Sequence, residues 1–290
     1  MPNLVVGVDE SVGAAAALRW GLREANTRGW SVTALLAWGL LNQHPAPSPS
    51  DFDPSYNEDD ALAALDTIVR DAVGHFGADS VERRAVSDLP ARALVEASRD
   101  AELVVVGARG LGALKGWLLG SVSQAVLHQA AVPVAVIRED WDQPARPPEN
   151  RIVVGIDGSD TAARALEWAL DAARSHHAPL EVIHAWALPA ALLEPLRTSS
   201  VDFDVLAKAA GHTLDTAVDC ANTQDVDVTR TVAAGAPTTS LLDAAAHAGL
   251  LVIGSRGMGG FKGLLLGSVS QQLAQHAPCP LVVVPPVSRV

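Results

Sequence analysis

Cysteine and aromatic residues are scarce in this 290-residue chain, and acidic residues outnumber basic ones. The two cysteines, Cys220 and Cys279, fit neither a zinc-ligand spacing nor a Cys-x-x-Cys redox motif, so they read as free thiols of a reducing compartment. Aromatics make up only 4% of the residues, so the core must be built from Val, Leu, Ala and Ile. That composition suits buried parallel strands covered by Ala-rich helices. A formal net charge of −12 leaves no general basic face for nucleic acid or an anionic membrane. No apolar run approaches the ~20 residues needed to span a bilayer. The chain enters a strand at Leu4 with no basic n-region or apolar h-region before it, so a soluble cytoplasmic protein is expected. A Gly-x4-Gly-Lys-[Ser/Thr] signature and a His-Glu-x-x-His spacing are both missing, which excludes a P-loop ATPase and that type of zinc site.

What is present is a glycine-rich stretch that occurs twice. Val105–Ser123 reads VVGARGLGALKGWLLGSVS and Val252–Ser270 reads VIGSRGMGGFKGLLLGSVS, identical at 13 of 19 positions without a gap. Each copy fits Gly-x2-Gly-x9-Gly-Ser: Gly107, Gly110, Gly120 and Ser121, then Gly254, Gly257, Gly267 and Ser268. An apolar run precedes each copy and a helix-like stretch follows it, giving strand, glycine loop, helix start. Such a loop suits phosphate, because glycines let the backbone approach closely and free helix N–H groups face the anion.

The duplication extends along the chain. Val5-Val-Gly-Val-Asp9 recurs as Val153-Val-Gly-Ile-Asp157, Ala17-Leu-Arg-Trp20 as Ala165-Leu-Glu-Trp168, and Ala37-Trp38 as Ala185-Trp186, all at an offset of 148. The glycine motif and Pro133/Pro280 are offset by 147, so one residue is missing within the second copy. Two domains are expected, 1–140 and 151–290, joined by a Pro-rich linker at 141–150. In the first copy the patterning predicts strands at 4–8, 32–38, 81–86, 103–106 and 134–137. Helices are predicted at 14–27, 59–76, from Pro90 to Arg99, and from Ser121. In the second copy strands are predicted near 152–156, 180–185, 228–232, 250–253 and 281–284. The third strand alternates in polarity and belongs at a sheet edge. Alternating apolar strands and helices predict a parallel α/β sheet with helices on both faces. Ligands bind such sheets where the strand order reverses. Asp9 and the Gly107 loop both follow strands, and if those strands are neighbours the order is 3-2-1-4-5.

Gly-x2-Gly-x9-Gly-Ser, together with an Asp ending the first strand, resembles the universal stress protein family, in its tandem-domain form and over nearly the whole chain. The resemblance implies two Rossmann-like (HUP-type) five-stranded domains of order 3-2-1-4-5, each binding ATP. It also implies pairing of the fifth strands, hence an internal pseudo-dimer, with homodimerisation of tandem chains open. By this resemblance Gly107, Gly110, Gly120 and Ser121 hold phosphates and ribose in the first copy, and Gly254, Gly257, Gly267 and Ser268 do so in the second. Asp9 and Asp157 stand where a carboxylate accepts from a ribose hydroxyl or holds Mg²⁺. Ala37 and Ala185 stand where backbone groups meet the adenine edge. The family role is sensing or sequestering nucleotide and regulating growth or survival under stress.

Other signals carry less. Arg109, Arg256, Lys115 and Lys262 belong to the loops and either touch phosphate or solvate the rim. Glu10 and Asp88 are carboxylates of the first copy that face Gly158 and Gly235-Ala236 in the second. They are expected to point to water; if they faced the ligand, they would weaken the first site relative to the second. The loops 39–57 and 187–203 are candidates for ordering on ligand binding. No nucleophile–base pair emerges, so a binding protein is expected rather than an enzyme. A nucleotide-free interaction module and a slow ATP-hydrolysing or nucleotidyl-transfer enzyme are the alternatives.

Overall fold

The computed structural model describes residues 1–39, 42–44, 53–73, 80–110, 119–141, 149–187, 203–258 and 266–286. The chain forms two compact units, Met1–Ala145 with Pro280–Val290, and Arg146–Cys279. The first runs β1 (Asn3–Gly7), α1 (Val12–Arg28), β2 (Ser31–Trp38), α2 (Glu58–Val73), β3 (Val81–Ser87), α3 (Pro90–Ala97), β4 (Leu103–Gly107), α4 (Ser121–Gln129) and β5 (Val134–Ile137). The second runs β6 (Ile152–Ile156), α5 (Asp160–His176), β7 (Leu180–Trp186), α6 (Phe203–Cys220), β8 (Val228–Ala234), α7 (Pro237–Ala245), β9 (Leu250–Gly254) and α8 (Ser268–His276). A final strand, β10 (Leu281–Val284), belongs to the first unit.

The local signals explain these boundaries. Ser11 accepts the Ala14 N–H and opens α1, which Gly29 closes at φ 69°. Ser159 does the same for α5 through Ala162 N–H, but the closing residue is His177 at φ 48°, a left-handed conformation without glycine. Strands β4 and β5 are apolar and buried at every position, as central strands covered on both faces must be. Small residues bring α1 down onto β1: a Cβ on Gly21 would lie 3.0 Å from Val6 and 3.1 Å from Leu4. Strand β3 pairs only with β2 and alternates in exposure, as its polarity pattern predicted.

In the first unit the parallel order is β3-β2-β1-β4-β5, as expected from the positions of Asp9 and Gly107. The sheet then continues with an antiparallel strand: β10 pairs with β5, Leu281 opposite Val136 and Val283 opposite Val134. The second unit has the parallel order β9-β6-β7-β8. The last strand of the second repeat is thus built into the first unit. The physical reason is an edge: β5 is short and wholly apolar, and β10 supplies partners for its backbone.

Trp141, placed by composition in the linker, is anchored. Its indole N–H donates to Ala16 O at 3.0 Å and Arg23 lies 4.8 Å above its ring. No helix among the described residues is long and apolar enough to cross a membrane. The cysteines differ sharply, with Cys220 exposed and Cys279 buried. Burial pushes the Cys279 thiol up to about 12, so it stays protonated and unreactive at neutral pH. A thiol reagent should label one site rapidly in the native protein and a second only after denaturation; rapid labelling of both would contradict the packing around Cys279.

Candidate functional site

Strand β1 lies between β2 and β4, so the chain leaves it in one direction to β2 and reaches β4 on the other side. Asp9 follows β1 at this reversal. Its Oδ1 accepts the Ser11 N–H at 2.9 Å and the Ser11 hydroxyl. Gly110 packs against the same carboxylate, where a Cβ would come within 2.6 Å of Oδ2. The second unit repeats the device with both oxygens engaged: Asp157 Oδ1 accepts from Ser159 N at 3.0 Å and Oδ2 from Met258 N at 2.8 Å. The aspartate therefore clips the glycine loop to the end of the first strand, a role its position in the sequence did not reveal.

The motif glycines divide into two kinds. A Cβ on Gly107 would meet the Gly13 backbone at 2.7 Å, and one on Gly254 would meet Thr161 at 2.9 Å. Gly110 and Gly257 are filled by the aspartates. These four are explained by packing alone. Gly120 and Gly267 are different. Their φ values are −71° and −76°, which any residue adopts, and a Cβ there would meet nothing closer than 3.5 Å. Nothing among the described residues requires glycine at these two positions. Both serve as N-caps, and among the described residues no side chain caps the first N–H groups of α4 and α8.

Serines lock these helix starts in place. Ser123 donates from Oγ to Gly107 O at 2.6 Å and Ser270 to Gly254 O at 2.8 Å. Gly120 N–H donates to Ala108 O at 2.8 Å and Gly267 N–H to Ser255 O at 2.7 Å. The identity of Ser123 and Ser270 between the copies was the available signal for this tie.

In the first unit these parts enclose a cavity of about 420 Å³, within the range of small-molecule sites. It brings together all six residues singled out in the first copy: Asp9, Ala37, Gly107, Gly110, Gly120 and Ser121. Val8, Leu35, Pro90 and Leu94 give it an apolar side, and Arg109 reaches its wall as an exposed cation. Sequence reasoning missed Asn42 and His44, which also line it. Of the loop 39–57, residues 39, 42–44 and 53–57 are described. Asn42 pairs with Gly39 through two backbone bonds, and its side-chain amide donates to Ala37 O at 2.7 Å. Gln43 and Asp53 bond reciprocally. His44 N–H donates to Tyr56 Oη, which donates back to His44 O, both at 3.1 Å. Burial raises the Tyr56 phenol above its ordinary value, the His44 N–H that donates to it offsetting part of this, and Asp60 and Glu10 raising it further. The hydroxyl remains a donor at neutral pH.

Glu10 does not simply point to water. Its carboxylate is partly buried and lies 3.4 Å from His44 Nδ1. Asp88 instead pairs with Arg92 at 2.6 Å, and that bond, with the Leu89 N–H, holds its carboxyl below the usual range. In the second unit Asp157, Gly254, Gly257, Gly267 and Ser268 occupy the matching places, and Ala185 lies on β7. Thr161 stands where the first unit has Gly13 and donates to Arg256 O. His184, on β7, contacts Ile156 O through Nδ1 at 2.9 Å. Lys115, Lys262 and most of the loop 187–203 lie outside the described residues.

An open parallel α/β sheet with a cleft at its reversal point, bordered by a glycine loop and a helix N-terminus, defines a Rossmann-like protein, here in tandem. The model of the Universal stress protein family matches residues 1–138 and again residues 149–285. The chain is 35% identical over 292 residues to a universal stress protein of Mycolicibacterium smegmatis, covering 98% of this chain and 97% of the relative. It is 35% identical over 290 residues to one of Mycobacterium tuberculosis, covering 97% and 96%. The crystal structure of a universal stress protein from Archaeoglobus fulgidus shares the fold with a TM-score of 0.64 at 21% identity, covering 98% of this chain and 96% of that one. The chain belongs to the universal stress protein family and carries two of its domains.

Proposed function

We propose that this protein binds ATP, one adenine nucleotide per repeat, and acts in the cytoplasm as a nucleotide sensor or store. It would regulate growth or survival under stress through its conformation or its protein partners. The observation that carries this reading is the pair Gly120 and Gly267. Packing accounts for the other motif glycines, whereas among the described residues these two have room for a side chain and sit at helix starts with no side-chain cap. Close approach of an anion to the backbone is what such a position provides. Gly107, Gly110, Gly120 and Ser121 are assigned to the phosphates and ribose of the first site, with Gly254, Gly257, Gly267 and Ser268 in the second. Ala37 and Ala185 are assigned to the base. Asp9 and Asp157 shape the loops and face the ribose side.

The carboxylates bear on Mg²⁺. Each site offers one aspartate, already accepting from backbone N–H groups, and no group of three His, Cys, Asp or Glu among the described residues suits a metal ion. Mg²⁺ would therefore arrive with the nucleotide and keep phosphate oxygens and water as its main ligands. The proposal is of binding without turnover, and it includes the internal pseudo-dimer that the resemblance implies, together with homodimerisation of tandem chains.

Calorimetric titration with Mg-ATP tests it, with two equivalents bound per chain as the expected result and labelled ATP recovered intact. Absence of binding would overturn the reading and leave an interaction module. Turnover lost together with Gly267 and Ser268 would replace it with an enzyme.

A further inference from the structure

The cavity of the first unit carries a polar side chain, Asn42, in its lining. Strands β2, β1 and β4 are consecutive in the sheet, so the ends of β2 and β4 stand about 10 Å apart, two strand spacings. The anion-suited features lie at the β4 end, with the Gly107 loop and the start of α4. The β2 end carries Leu35, Ala37 and Asn42, and the one cavity spans both. A ligand with phosphate at the first end places its base at the second.

Asn42 is held there before any ligand arrives. Its backbone bonds to Gly39 in both directions, at 3.1 and 2.9 Å, and the next two residues are tied to Asp53 and Tyr56. The Ala37 carbonyl accepts from Nδ2, which fixes the amide orientation because only the NH₂ side can donate. The remaining Oδ1 is an acceptor and takes no hydrogen bond among the described residues. A fixed acceptor on the wall of a cavity pairs with an amino group and repels a carbonyl oxygen. The second repeat has no Asn, Gln or His anywhere in residues 187–202.

We infer that Asn42 sets the base preference of the first site, accepting a hydrogen bond from a 6-amino purine and disfavouring a 6-oxo purine. The inference rests on the nucleotide reading above. It makes the two repeats unequal in selectivity, with the first the more discriminating.

The test compares ATP with inosine triphosphate, which carries a carbonyl in place of the 6-amino group, by titration of the full chain. A background of Gly257→Val silences the second site, since a side chain there collides with the Asp157 carboxylate. The first site should prefer ATP by about tenfold to a hundredfold. Asn42→Leu should reduce that preference to within about threefold, chiefly by weakening ATP. Asn42→Asp, which retains an acceptor but loses the donor to Ala37, provides a second variant should leucine disturb the fold. It should keep a preference for ATP. An ATP preference unchanged in Asn42→Leu, or absent from the parent while ATP still binds, would overturn the inference and leave the nucleotide reading intact. If the unmodified chain binds neither triphosphate, the nucleotide reading fails and this inference with it.

Discussion

Alanine at Gly120 is expected to leave stability within about 1 kcal/mol of the parent, the cost of a poorer N-cap residue, while weakening nucleotide binding at the first site on the order of tenfold to a hundredfold. The first half follows from space: a Cβ there meets Ala108 O at 3.5 Å and Ser123 Oγ at 3.6 Å, ordinary contact distances. The second half follows from the helix start. A methyl group over the first N–H groups of α4 keeps a phosphate from hydrogen-bond range, and bonds to charged groups contribute about 1.5–3 kcal/mol each. Gly267→Ala should behave in the same way at the second site, where the nearest contact is also 3.5 Å. Thermal unfolding and titration with ATP, run on the same preparations, check both halves. A large loss of stability with unaltered binding would show that these glycines serve the fold.

Gly107→Ala is expected to do the reverse, lowering stability by about 1–3 kcal/mol, as overpacking does. Its Cβ would lie 2.7 Å from Gly13 C, 2.8 Å from Gly13 O and 3.1 Å from Ala14 N, all backbone atoms of the first turn of α1. Backbone cannot rotate aside as a side-chain tip can, so α1 must lift from β4. Denaturant unfolding should show a lower midpoint with an unchanged slope. Binding should fall too, but as a consequence of a displaced loop. Wild-type stability in this variant would mean that α1 and β4 are not packed as described.

These two expectations show how far the sequence could be read. The doubled glycine motif and the recurring Val-Val-Gly-x-Asp were sufficient to place a strand, loop and helix start twice, because glycine spacing and apolar runs are local properties. The order of β1 and β4 was also legible, since both strands end in marked residues. The division of the glycines was not. Whether a glycine answers to packing or to a ligand depends on which backbone lies opposite, and Gly13 and Thr161 are far from the loops in sequence. The clip formed by Asp157 on Met258 N–H was hidden for the same reason.

Asn42 and His44 escaped notice because a proline- and serine-rich loop carries no periodicity, and only the contacts with Ala37, Asp53 and Tyr56 bring them to the cavity. Glu10 was expected in water, and its neighbour His44 could not be foreseen without that loop. The pairing of β10 with β5 followed from the resemblance, which implies paired fifth strands; apolar runs alone do not orient strand edges.

The most direct measurement of the central claim is the small-molecule content of the freshly purified protein, released by denaturation and identified by chromatography and mass spectrometry. The account predicts adenine nucleotide, about two ATP per chain when both repeats are filled. Protein that releases none, and binds none when Mg-ATP is added back, would contradict it.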